Sequence, residues 1–140
     1  MATITLISPY FKHQIMTSLS IEKDGEWFCF NALWDTGANQ TNIGKHIIEQ
    51  LNFIPQSSKR LVGIKGDVLT NTYIVNLKLN DKIVFNDIEV ISSDIEEICG
   101  FDAIIGMDII SQGDFYITHF QNNNGEDEIR FDFTYPPLTK

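Results

Sequence analysis

The chain has 140 residues, the length of one domain and too little for two separate cores, and residues 1–140 are therefore expected to form a single domain. With 43% hydrophobic, 11% aromatic and 21% charged residues it has the make-up of a folded domain rather than a disordered one. Lys and Arg number 10 against 19 Asp and Glu, a formal charge of −9, and the one local basic pair, Lys59-Arg60, is no phosphate-binding surface, so nucleic acid is excluded as a partner.

Residues 1–9 lack a basic flank and their apolar run is too short for a signal peptide. No stretch reaches the roughly 18 apolar residues of a membrane span, which points to a cytoplasmic protein without a membrane partner. Further along, Gly, Asn and Asp punctuate runs rich in Ile, Val, Phe and Thr, the signature of a mostly β chain. Residues 16–21 and 26–34 flank Lys23-Asp24-Gly25, and an Asp-Gly pair between two such runs predicts a hairpin. The alternation of residues 73–79, the turn Asn80-Asp81-Lys82 and residues 83–90 predict a second. Residues 115–120 and 129–135, around a loop containing Asn124-Gly125, predict a third.

Helical spacing is confined to residues 44–51, where Ile43, Ile47, Ile48 and Leu51 share one face, with a second single turn expected over 107–111. The fold class that follows is all-β, a small closed or partly closed barrel with one or two short helices. Cys29 and Cys99 are far apart in the chain and sit in apolar stretches, so buried free thiols are expected and a zinc knuckle is excluded. His13, His46 and His119 are scattered without ligand spacing, and neither a metal nor a cofactor is expected.

Chemistry concentrates in Ala32-Leu33-Trp34-Asp35-Thr36-Gly37-Ala38-Asn39. An apolar strand delivers an aspartate at its end, and a glycine two residues on lets the backbone turn tightly beneath it. By themselves these residues also suit an ordinary turn after a strand. A second segment, Phe101-Asp102-Ala103-Ile104-Ile105-Gly106-Met107-Asp108-Ile109-Ile110, brings an apolar run and a glycine to the start of a short helix.

Taken together, in this order and at this separation, the two segments resemble the signature of the retropepsin-like aspartic proteases, over roughly residues 15–120. The resemblance implies a β-barrel of the acid-protease type and peptide-bond hydrolysis. It assigns Asp35 as catalytic acid/base, Thr36 as the hydroxyl that ties two active loops together, and Gly37 as the point where backbone approaches substrate. Ala38 would keep the floor of the site small, and Asn39 would hydrogen-bond the substrate main chain. The segment from Arg60 to Val68, with Gly63, Ile64, Lys65 and Gly66 at its tip, resembles the flap that closes over an extended peptide.

Hydrolysis by carboxylates needs two of them about 3 Å apart sharing one proton. This chain has one Asp-Thr-Gly, so the second aspartate would come from another copy, and a twofold homodimer acting on a peptide or protein substrate is the implied partner set. Residues 3–7 would be candidates to pair across that dimer with residues 131–135. Retroviral members carry an arginine after the second glycine where this chain has Met107, a likeness to cellular and bacterial relatives. Trp34 before the aspartate is read as barrel packing. The rival reading keeps the barrel as a catalytically silent peptide-binding or assembly module.

Overall fold

The computed structural model describes residues 1–9, 13–63, 66–95 and 99–138. In chain order the elements are β1 (Ala2–Pro9), β2 (Met16–Lys23), β3 (Glu26–Trp34), β4 (Asn42–Gly44), α1 (Lys45–Gln50), β5 (Ser57–Gly63) and β6 (Gly66–Asn80). Then follow β7 (Ile83–Ser93), β8 (Ala103–Ile105), α2 (Met107–Ile110), β9 (Asp114–Gln121) and β10 (Asp127–Tyr135).

Local sequence explains the long hairpins. Period-two burial puts Leu19 and Ile21 of β2 and Ala32 and Trp34 of β3 inside, and the turn between them holds Asp24 at φ 53° and Gly25 at φ 82°, as an Asp-Gly turn requires. In β6 the same alternation buries Tyr73, Val75, Leu77 and Leu79. The β6–β7 turn is fastened by Asn80, whose Oδ1 accepts the N–H groups of Lys82 and Ile83. Asn122 plays that part in the β9–β10 loop, accepting from Asn124 and Glu126.

Among the described residues, six strands close into a barrel in the order β2-β3-β8-β4-β7-β6, sealed by Ser20↔Lys78 and Ile21↔Leu77 between β2 and β6. The short strand β8 lies parallel to β3 and antiparallel to β4, and β4 lies parallel to β7. Ile43, Ile47, Leu77, Ile83, Val90, Ile105 and Ile109 fill the interior, so α1 plugs the barrel with the apolar face read from its spacing. Beyond the closure, β5 pairs with β6 from Ser57↔Thr72 to Gly63↔Gly66, and this hairpin projects with Val62, Val68 and Leu69 exposed.

A second sheet, β1-β10-β9, packs against the barrel. Its first strand pairs with β10 inside the same chain, from Ala2↔Tyr135 to Pro9↔Glu128, which corrects the expectation of a pairing across a dimer. The reason is packing: Phe131 and Phe133 of β10 turn fully inward, and Ile4 and Leu6 of β1 cover the core beside them. On the outer face Thr5 Oγ1 and Arg130 Nε both donate to the Asp132 carboxylate. Desolvation of Asp132 raises its pKa, but these two donors outweigh it and hold the carboxyl below its ordinary range.

The cysteines correct another expectation. Both are free, but both are exposed; for Cys29 the reason is that the inward parity of β3 belongs to Phe28, Phe30, Ala32 and Trp34 and leaves it outward. Two thiols per native chain are therefore expected to react with a thiol reagent without denaturant. Protection of Cys29 until unfolding would show that β3 is in the opposite register.

No helix among the described residues is long and apolar enough to cross a membrane.

Candidate active site

Two hydrogen bonds fix where β3 stops. Trp34 N donates to Ile15 O at 2.9 Å, and Asp35 N donates to Ile105 O at 3.0 Å, so the aspartate leaves the barrel at a point held from both sides. Immediately after it, Gly37 N donates to Asp35 Oδ1 at 2.8 Å and Ala38 N to Asp35 O at 3.2 Å. A Cβ on residue 37 would lie 3.1 Å from Asp35 Oδ1, crowding the carboxylate that its own amide orients. Asp35 and Ala38 are half-buried, while Thr36, Gly37 and Asn39 are exposed.

Beneath this loop sits the second motif. Met107 N donates to Ala38 O at 2.7 Å and Asp108 N to Asn39 O at 3.2 Å. The Asp108 carboxylate accepts Thr41 N at 3.0 Å, Thr41 Oγ1 at 2.8 Å and Ile109 N at 3.0 Å. Thr41 is fully buried, and its hydroxyl, having given its proton to Asp108, accepts Gly106 N at 3.2 Å. The loop from Asp35 to Thr41 and the segment from Ile105 to Ile109 thus form one rigid bracket. Sequence reasoning placed the two segments but missed Thr41 and Asp108 as its clasp. The usable signal was a Thr at the end of the loop that follows Asp35, with a carboxylate directly after Gly106-Met107.

Gly106 is held to glycine by space rather than by φ. A Cβ there would lie 2.7 Å from the Gln40 carbonyl carbon, 2.8 Å from its oxygen and 2.9 Å from Ala38 O. Gly106→Ala must push the two segments apart and is expected to cost about 3 kcal/mol, read from the urea midpoint. An unchanged midpoint would mean that the loop yields freely.

Beside the bracket lies a cleft of about 760 Å³. Ala38, Asn39 and Gln40 form one wall, Lys59 to Val62 of β5 another, and Asp87, Ile88 and Glu89 of β7 a third. Gln40 joins the walls: Lys59 Nζ donates to its Oε1 at 2.9 Å, and its Nε2 donates to Glu89 O at 3.0 Å. Of the residues singled out from sequence, Ala38 and Asn39 line this cleft, whereas Asp35, Thr36 and Gly37 stand beside it. Gly63 and Gly66 face each other at the end of the β5–β6 hairpin, and Gly66 borders a neighbouring apolar groove with Val62, Val68 and Leu69. Ile64 and Lys65, read as the tip of the flap, lie outside the described residues. Gln40, Lys59 and Glu89 were not found from sequence, because their meeting depends on how β5 and β7 are brought beside the loop.

Among the described residues no three His, Cys, Asp or Glu are grouped to hold a metal ion. His46 Nε2 lies 3.0 Å from Asp102 Oδ1 and His119 Nε2 lies 3.1 Å from Asp127 Oδ1, both at the surface.

No protein-family profile matches the sequence, and no curated protein does. Solved structures do. A retropepsin-like aspartic protease from Rickettsia conorii superposes with a TM-score of 0.59 over 94% of each chain, at 10% identity. The chain has the retropepsin-like fold. An EIAV protease complexed with the inhibitor HBY-793 matches with a TM-score of 0.56 at 21% identity, over 74% of this chain and 91% of that one. Simian Foamy Virus (mac) protease matches at 0.50 and 18%, over 69% and 92%. The extent of the Rickettsia match carries the retropepsin-like likeness past residues 15–120 into the β1-β10-β9 sheet, which the two sequence motifs did not reach.

Proposed function

We propose that residues 1–140 act as a single aspartic endopeptidase domain, active as a twofold homodimer in which Asp35 of each copy supplies half of the catalytic pair. The observation that carries this reading is Asp35 itself. On a retropepsin-like fold, one carboxylate is delivered from the end of a pinned strand, oriented by Gly37 N and backed by the Thr41–Asp108 bracket.

A lone carboxylate cannot serve as base and acid at once. In the pair, the ionised carboxylate takes a proton from water as the water oxygen attacks the peptide carbonyl carbon. The protonated partner gives its proton to the carbonyl oxygen. The carboxyl that took the proton from water then gives it to nitrogen, its ionised partner takes one from a hydroxyl of the tetrahedral intermediate, and the C–N bond breaks with the pair again singly protonated. Thr36 would link the two loops, and Gly37, Ala38 and Asn39 would line the peptide's path. The hairpin bearing Gly63, Ile64, Lys65 and Gly66 would close over it and exclude water. The proposed route uses carboxylates and water, with no metal or cofactor.

The test is cleavage of a diverse peptide mixture, read by mass spectrometry over a dilution series. A site shared by two copies predicts a rate per chain that falls on dilution, because monomers hold half a site each. Constant cleavage per chain at every concentration would refute the shared site. An absence of cleavage at all concentrations would favour the silent binding module.

A further inference from the structure

We propose that Lys59 is the specificity-determining residue of the cleft beside Ala38 and Asn39, and that it selects peptides carrying a glutamate or aspartate side chain close to the bond to be cut. This selection rests on the peptide path of the proposed function and adds the charge that the path reads.

The chain has 19 Asp and Glu against 10 Lys and Arg, so its cations have carboxylates to spare around them. Lys45 pairs with Asp94 at 3.4 Å, Arg60 with Asp67 at 3.7 Å and Arg130 with Asp132 at 2.9 Å. Lys59 does otherwise. Among the described residues it forms no ion pair, and its Nζ donates to a neutral oxygen, Oε1 of Gln40, at 2.9 Å. Its place gives this meaning, because Lys59 lines the same cleft of about 760 Å³ as Ala38 and Asn39, the two residues directly after Gly37.

Gln40 holds the lysine in position. The Gln40 Nε2 donates to Glu89 O at 3.0 Å and lies 3.3 Å from Glu89 Oε1, so the amide nitrogen is turned to β7 and the amide oxygen to β5. An ammonium has three N–H groups and Gln40 accepts one, which leaves two for a ligand. A carboxylate matches them best, since a bond between two ionised groups is roughly twice as strong as one between neutral groups. The acids of the lining do not take that role. Asp108 is filled by Thr41 and Ile109, and the Gln40 amide stands between Lys59 and Glu89. Asp87 and Glu89 on the β7 wall repel an incoming carboxylate and so direct it to the β5 wall, where Lys59 is. Leu61 and Ile88 of the same lining offer apolar contact to the methylene groups that carry it.

The test uses fluorescently labelled random peptide pools, identical except for one fixed position that holds Glu, Gln or Lys. Binding is read by fluorescence anisotropy on the Asp35→Asn chain, so that no peptide is cut. At physiological ionic strength, where exposed charges more than about 8 Å apart are largely screened, the Glu pool should bind about fivefold more tightly than the Gln pool. The Lys pool should bind more weakly than the Glu pool. Lys59→Met should bring the Glu and Gln pools together, and Lys59→Arg, which keeps the charge, should hold them apart. Equal binding of the Glu and Gln pools, a Lys pool that binds at least as tightly as the Glu pool, a gap untouched by Lys59→Met, or no binding of any pool each overturns the role of Lys59. Cleavage by the wild-type chain decides the endopeptidase separately. A Glu preference in binding without wild-type cleavage upholds Lys59 and overturns the endopeptidase, and cleavage without a Glu preference does the reverse.

Discussion

Asp35→Asn is expected to remove peptide hydrolysis, by roughly 10²- to 10⁴-fold, while the protein stays folded. The asparagine side chain has nearly the same shape, and its carbonyl oxygen can still accept the Gly37 amide that Asp35 Oδ1 accepts at 2.8 Å. The stability change should therefore be about 1 kcal/mol or less, the size of a hydrogen bond exchanged for a weaker one. What the amide cannot do is take a proton from water or hand one to the scissile carbonyl. Mixing wild-type and Asp35→Asn chains separates one-copy from two-copy chemistry. If each site needs both aspartates, activity should fall with the square of the wild-type fraction once subunits have exchanged. A linear fall would mean that each chain carries a complete site, and full cleavage by the variant would remove Asp35 from the mechanism.

Trp34→Ala should be strongly destabilising. The indole is 6% exposed and wedged between the barrel and the second sheet against Phe115, Phe131 and Phe133, with Nε1 donating to Thr17 Oγ1 at 2.8 Å. Truncation leaves a cavity where the two sheets meet and removes the donor to the half-buried Thr17 hydroxyl, an expected loss of about 3–5 kcal/mol in urea unfolding. For a domain of this size that is a drop on the order of 10 °C in Tm. Trp34→Phe keeps most of the ring contacts but gives up the donor, and should cost about 1–2 kcal/mol. If alanine cost no more than phenylalanine, the ring would not be the wedge between the sheets. Because Asp35 follows directly and its amide is tied to Ile105 O, the alanine variant should also lose cleavage at temperatures where it remains folded.

The expectation that Trp34 serves packing holds, and it shows which kind of information sequence carries. Leu19, Ile21, Ala32, Tyr73, Val75, Leu77 and Leu79 alternate with outward residues, and that alternation is legible because burial in a strand repeats every two residues. Asp24-Gly25 and Asn80 announced turns because their conformations and side-chain hydrogen bonds are local. The same local rule, read with the correct parity, would have put Cys29 outside.

What the sequence by itself determined is the all-β class, the hairpins, the apolar face of α1 and the position of Asp35 at a strand end followed by a glycine turn. Each depends on residues a few positions apart. Only the tertiary structure decided the β2–β6 closure, the seating of three-residue β4 and β8, the intrachain β1–β10 pairing, the clasp of Thr41 by Asp108 and the joining of Lys59 and Glu89 through Gln40. Those features join residues distant in the chain. A strand of three residues, or a polar one such as β5, has too little pattern to declare itself and becomes ordered by the neighbour that satisfies its backbone.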